Sequence, residues 1–119
     1  MATVHLSEKN FQEIIDNSNI VIVDFWAEWC GPCRSFAPVF EQSSEQHQDI
    51  VFGKINTEEE RGLAGYFQIR SIPTLMIFKE QIMIFNQAGA LPGPALEDVI
   101  QKTRDLDMDM VREKIAEQQ

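Results

Sequence analysis

Two spacings of apolar residues alternate along the chain. In SEKNFQEII, Phe11, Ile14 and Ile15 recur at helical spacing behind Ser7, a side chain suited to cap free amides, so a short amphipathic helix is expected, ending at residues 17–19. IVIVDFW (20–26) is an unbroken β-branched and aromatic run. Its lack of alternation implies a strand covered on both faces, as in the middle of a sheet with parallel neighbours. Phe36, Val39, Phe40, Ser43 and Ser44 then follow a helical period, with Glu41, Gln42, Glu45 and Gln46 largely on the other face. Pro38 lies inside this segment and predicts a kinked helix rather than two helices, because it removes one backbone donor and crowds the preceding turn.

IVFGKIN (50–56) reads as a second buried strand, and TEEERGLAGYF (57–67) as a helix capped by Thr57 with three acids in its first turn. TLMIFKEQIMIFN (74–86) carries two apolar runs separated by Lys79, Glu80 and Gln81, the pattern of a β-hairpin without the Gly or Asn that eases a tight turn. GPALEDVIQKT (93–103) starts a helix at Gly93 and Pro94 and buries Leu96, Val99 and Ile100. This order of elements predicts an α/β domain, a mixed sheet between helices, whose site lies in the loops after the carboxyl ends of the strands.

At 119 residues the chain is long enough for one domain with a core of its own. No segment approaches the roughly 20 apolar residues of a membrane span. Nineteen acids against ten bases give a net charge of −9, which disfavours nucleic acid and anionic membrane surfaces as partners. MATVHLSEKN has neither the basic start nor the apolar run of a secretory signal, so a cytoplasmic location is expected.

In a reducing compartment a close cysteine pair reacts or binds metal more often than it staples a fold. The only cysteines, Cys30 and Cys33, stand at the junction between the first predicted strand and the next helix. A closed zinc site needs four ligands, and the chain offers these two with His5 and His47 at no recognisable ligand spacing. An inert buried pair fits poorly with the polar, turn-forming surroundings. Redox chemistry has a physical reason: residues three apart at a helix start share a face, and free N–H groups with the helix dipole stabilise a thiolate on Cys30. Pro32 helps to start the helix, and Cys33 lies one turn further in.

VDFWAEWCGPCRSFAPVF resembles the active-site signature of the thioredoxin family, and GKIN, IRSIPTLMIFK and AGAL match further family segments in order. The resemblance covers the chain to about Thr103 and implies an α/β thioredoxin fold, with a central mixed sheet of five (or four) strands flanked by helices on both faces. It makes Cys30 the exposed nucleophile and Cys33 the buried resolving thiol. Trp29 becomes a sheltering ring, and Pro73 a cis-proline facing the cysteines. Ile72, Gly31, Pro32, Gly89 and Ala90 become the apolar patch on which substrates dock. Asp24, costly to bury as a charge, becomes an acid that relays a proton to or from Cys33, with Lys54 as its basic neighbour.

The implied activity is reduction of protein disulfides, with no cofactor and no metal. The expected partners are disulfide-containing clients and a thioredoxin reductase as electron donor, and the chain is expected to be a monomer. The Gly-Pro dipeptide between the cysteines resembles reducing rather than oxidising members. An interaction or assembly module with secondary redox activity is the alternative, and an exported oxidant or isomerase a third reading. His5 and His47 are expected to be surface residues without a catalytic part, and Phe25, Phe36, Phe40, Phe52, Phe67 and Phe78 to be core.

Residues 1–104 are expected to form the domain and 105–119 an extension, helical or disordered. In that extension Leu106, Met110, Val111 and Ile115 make a usable apolar stripe. Ala88 before Gly89, smaller than is common in the family, is expected to alter substrate grip.

Overall fold

The computed structural model describes residues 2–119. Its elements run β1 (Thr3–His5), α1 (Phe11–Asn17), β2 (Ile20–Trp26), α2 (Gly31–Gln46), β3 (Val51–Asn56), α3 (Arg61–Tyr66), β4 (Thr74–Lys79), β5 (Ile82–Ala88), α4 (Gly93–Asp105) and α5 (Met108–Glu117). One five-stranded sheet has the order β1-β3-β2-β4-β5. β3 pairs in parallel with both β1 and β2, while β4 is antiparallel to β2 and β5.

β2 is buried along nearly all its length because each face meets a helical layer. Ile20 and Ile22 join Phe52, Leu75 and Ile77 beneath Phe36 and Phe40 of α2 and Leu96 and Ile100 of α4. Val21, Val23 and Phe25 face the other way, against Phe11 and Ile15 of α1, with Leu63 and Phe67 at its margin. Asp24 and Trp26 follow Ile22 at period two and so fall on the α2 and α4 side.

Several local expectations are corrected. β1, which the apolar pattern does not announce, extends the sheet, with Val4 opposite Gly53 of β3. A Cβ on Gly53 would come within 2.4 Å of Leu6, so the strand edge closes there only over a glycine. Ser7 does not cap α1: its Oγ accepts from Lys9 N–H and its carbonyl from Asn10 and Phe11 N–H, in a turn that precedes the helix. Thr57 likewise caps nothing, since its hydroxyl turns back to the Trp26 carbonyl, and the acids 58–60 form a turn before α3. Asn56 Oδ1 accepts from the Glu58 and Glu59 amides there. Pro38, by contrast, lies inside one continuous helix of 16 residues, as expected.

The hairpin between β4 and β5 is tight. Glu80 and Gln81 both take positive φ, 49° and 72°, a backbone conformation that normally calls for Asn-Gly. Neighbouring groups hold them: Glu80 N–H donates to Asn19 O at 2.8 Å, and Gln81 Nε2 to Asp16 O at 3.0 Å. Arg112 of α5 pairs with the Glu80 carboxylate at 2.6 Å. Replacing Gln81 with glycine is expected to raise stability by about 0.5 kcal/mol at most, because relief of the left-handed penalty outweighs glycine's entropy cost together with the loss of the exposed bond to Asp16 O. Urea unfolding of the two proteins measures this, and a less stable variant would refute it.

The extension forms α5, with Asp107 capping the amides of Asp109 and Met110. Its buried residue is Met108, at 5 % exposure, while Met110 (55 %) and Ile115 (37 %) of the expected stripe face outward. Lys79, itself buried, donates to the carbonyls of Thr103, Arg104 and Leu106 at 2.7, 3.2 and 3.0 Å and thereby closes the carboxyl end of α4. Lys79→Met should cost about 2 to 3 kcal/mol, since it strips a charged donor from carbonyls that water reaches poorly. Denaturant titration at neutral pH checks the figure, and a change below half of it would remove the cap from the account.

Candidate active site

The active-site loop begins where β2 ends. Cys30 N–H donates to Ala27 O at 3.3 Å, which turns the chain directly into α2. Cys30 is the N-cap of that helix, and its own sulfur accepts the Cys33 N–H at 3.2 Å, where a Ser or Asp oxygen would ordinarily sit. Pro32 occupies the first turn, where a missing N–H costs nothing. The two sulfurs are joined as a disulfide across Cα atoms 5.2 Å apart, the oxidised form of the pair.

Exposure does not separate the two cysteines as the sequence led one to expect. Cys30 is 4 % exposed and Cys33 3 %, both packed with Ala27, Trp26 and Ile72. Position separates them instead: Cys30 stands at the free amides of the helix end, and Cys33 is inside the first turn. The Ile72–Pro73 peptide is cis, and the Ile72 carbonyl lies 3.7 Å from Cys30 Sγ. Gly89, at φ 105°, donates its N–H to the Pro73 carbonyl at 2.8 Å. This bond ties the segment carrying Gly89 and Ala90 to the proline loop, and only glycine takes that φ without strain. Both residues are exposed, as is Pro32, while Gly31 and Ile72 are half-buried. Trp29 is 67 % exposed and walls a groove beside the cysteines.

Asp24 is 1 % exposed, and neither carboxylate oxygen has a hydrogen-bond partner in the protein. It pairs in register with Lys54 on β3 and Leu75 on β4. Burial pushes its pKa from 3.8 to about 7, and the nearby Lys54 charge opposes the rise. Lys54 also sits 4.8 Å from the centre of the Trp26 ring. Trp26 thus contacts both the basic residue and the cysteine cluster.

His47 is not a free surface residue. Its Nε2 lies 2.6 Å from Glu97 and its Nδ1 2.9 Å from Arg104, which also holds Asp49 at 2.7 and 3.0 Å. The cluster fastens the end of α2 to α4, away from the sulfurs. Among the described residues no group of three or more His, Cys, Asp or Glu side chains could hold a metal ion, and no helix is long and apolar enough to cross a membrane.

A disulfide of adjacent-turn cysteines at a helix start, facing a cis-proline loop, defines a thiol–disulfide oxidoreductase. The thioredoxin family profile matches residues 2–102. Putative thioredoxin 2 of Streptomyces coelicolor is 53 % identical over 118 residues, covering 99 % of this chain and 88 % of its own. The thioredoxin of Synechocystis is 44 % identical over 103 residues, 85 % of this chain and 96 % of its own. A Plasmodium falciparum thioredoxin structure superposes with a TM-score of 0.77 at 35 % identity, covering 84 % of this chain and 97 % of that one. The chain belongs to the thioredoxin family and is a protein-disulfide reductase. The match to the Streptomyces protein necessarily runs into α5, well past the end of the family profile.

Proposed function

We propose that this protein reduces client disulfides in the cytoplasm through Cys30 as nucleophile and Cys33 as resolving thiol, and that a thioredoxin reductase returns it to the dithiol. The observation that carries the reading is the Cys30 sulfur serving as N-cap of α2, within reach of the Ile72 carbonyl. An N–H donor and the positive end of a 16-residue helix favour the thiolate at that sulfur over any other position in the motif.

The thiolate attacks one sulfur of the client disulfide, the client bond breaks, and its leaving sulfur takes a proton. Cys33, once deprotonated, attacks the Cys30 sulfur of the mixed disulfide, and the second client sulfur leaves. Two electrons and two protons pass to the client, and the Cys30–Cys33 bond closes. The reductase supplies the same two electrons and two protons to reopen it. Asp24 is the group we assign to take the Cys33 proton, with Lys54 steadying the carboxylate that results. A carboxyl titrating near neutrality can accept and return a proton in one cycle. Trp29, Gly31, Pro32, Ile72, Pro73, Gly89 and Ala90 surround the sulfurs as the surface on which the client strand lies.

Insulin reduction by dithiothreitol tests the reading. Catalytic amounts of the protein should shorten the lag before the insulin chains precipitate. A folded protein with both thiols free and no effect on the lag would overturn it.

A further inference from the structure

Tyr66, the last residue of α3, is 79 % exposed, more than Trp29 and more than any other large apolar side chain among the described residues. Its ring meets Phe67 edge to face, with centres 5.0 Å apart, and is steadied there against the body of the protein. With Leu63 and Phe67 it forms one wall of a cavity of about 360 Å³, and Phe11 of α1 and Glu8 from the turn before α1 form the other. The groove beside Trp29 is lined from α3 by Ala64, so this cavity opens on a different face of that helix, and it contains none of the residues around the sulfurs. The Glu8 carboxylate is built into its rim. A Cβ on Gly62 would collide with Glu8 Oε1, so the carboxylate lies across α3 only over a glycine. The Glu8 N–H donates to Glu60 Oε1 at 3.0 Å, which holds the turn in place. Among the described residues no cation pairs with that carboxylate: Lys9 forms no ion pair, and Arg61 gives its Nε–H to the Glu58 carbonyl.

We propose that the groove between α1 and α3 is a docking site for an arginine side chain presented by a partner protein, its guanidinium stacked on Tyr66 and paired with the Glu8 carboxylate. The site stands apart from the sulfur chemistry and goes beyond the reductase reading.

Shape and charge together choose that occupant. The floor is apolar, with Phe11 packed edge to face on Phe67 at 5.5 Å and Leu63 beside them, so an entering side chain needs an apolar stem. Arginine and lysine both carry one. The rim then favours arginine, because a guanidinium lies flat on an aromatic ring and its fork of N–H groups meets a carboxylate at two points, whereas an ammonium is a compact, strongly hydrated point charge. An acidic side chain would face both the Glu8 carboxylate and the field of a chain of net charge −9. An apolar one would strip water from that carboxylate and return nothing. A second copy of the chain is disfavoured for the same electrostatic reason, since two molecules of that charge repel.

The test titrates the isotope-labelled protein, in its disulfide form and at low ionic strength, with three short alanine-based peptides that lack cysteine and differ only in a central Arg, Lys or Gln. Amide resonances are followed throughout. The Arg peptide should move the amides of Glu8, Leu63 and Tyr66 and bind about threefold more tightly than the Lys peptide, and the Gln peptide should leave them in place. Tyr66→Ala and Glu8→Gln should each weaken the Arg peptide about threefold, in the range of one exposed cation–π contact or ion pair. Both side chains are exposed and distant from the disulfide, so neither substitution should change the rate of insulin reduction. Equal binding of the Arg and Gln peptides, shifts spread over the acidic surface instead of gathered at the groove, or an Arg peptide indifferent to both substitutions would overturn the proposal. Shifts of the same amides that grow with protein concentration in the absence of peptide would overturn it too, and would give the groove to a second copy of the chain.

Discussion

Replacing Cys33 by serine is expected to stop turnover at the mixed disulfide, leaving the client covalently attached through Cys30. Cys30→Ser should give neither turnover nor adduct. The asymmetry follows from where the sulfurs sit. Only Cys30 occupies the N-cap and receives an N–H bond at 3.2 Å, so only it gains the free amides and dipole that favour a thiolate near neutral pH. A serine at 33 keeps the volume, the first turn and the backbone donor, but cannot expel the client thiol. Insulin reduction should fall to the rate of dithiothreitol alone in both variants. Non-reducing gels with mass spectrometry should show adducts for Cys33→Ser alone. Adducts forming equally in Cys30→Ser would reverse the assigned roles. Both cysteines are almost fully covered in the disulfide form, packed with Ala27, Trp26 and Ile72.

Asp24→Asn is expected to remove a pH dependence of stability that burial of this carboxyl creates and to slow the resolving step. The carboxyl titrates at about 7 in the folded protein against 3.8 when exposed, because burial penalises the charge more than Lys54 offsets it. Below pH 3.8 the group is protonated in both states and costs nothing. Between 3.8 and about 7 the unfolded chain has released its proton while the folded protein has not, so stability declines through that window as pH rises. At 1.36 kcal/mol per pH unit the decline totals on the order of 4 kcal/mol, and it levels off once both states are ionised. The asparagine variant should lack this slope and exceed the unaltered protein in stability at pH 8. Urea titrations from pH 4 to pH 8 decide it: parallel profiles would place the Asp24 pKa near its ordinary value. Activity should move the other way, with the variant losing rate in release of the client, because Cys33 has lost its proton acceptor.

The motif WCGPC and the strand before it were readable because their chemistry is local. A buried run predicts a central strand, and cysteines three apart at a helix start predict a disulfide, whatever the rest of the chain does. Lys54 opposite Asp24 was named only through resemblance, since the spacing between residues on two strands depends on register rather than on sequence distance. The caps were misjudged where a side chain found a partner other than the amides of its helix. Thr57 turned to Trp26, and the Ser7 hydroxyl served a turn three residues short of the helix. β1 was missed because it is three residues long and only one of its faces is partly covered. Lys79 carried no signal at all, because a lysine between two apolar runs reads as part of a turn until α4 brings three carbonyls to it. For α5, Met110 and Ile115 of the stripe predicted from period face outward and Val111 is half-buried, since the corner after α4 turned Met108 inward instead.

The sequence by itself determined the α/β order of elements, the two reacting sulfurs and the helix end that activates one of them, because hydrophobic period and backbone polarity act over a few residues. Only the tertiary structure decided how an acid in a central strand loses its water, which carbonyl lies beside Cys30, and how α5 braces a left-handed turn. Those outcomes depend on residues far apart in the chain meeting at distances of a few ångströms, and desolvation and pairing act only once the layers have closed.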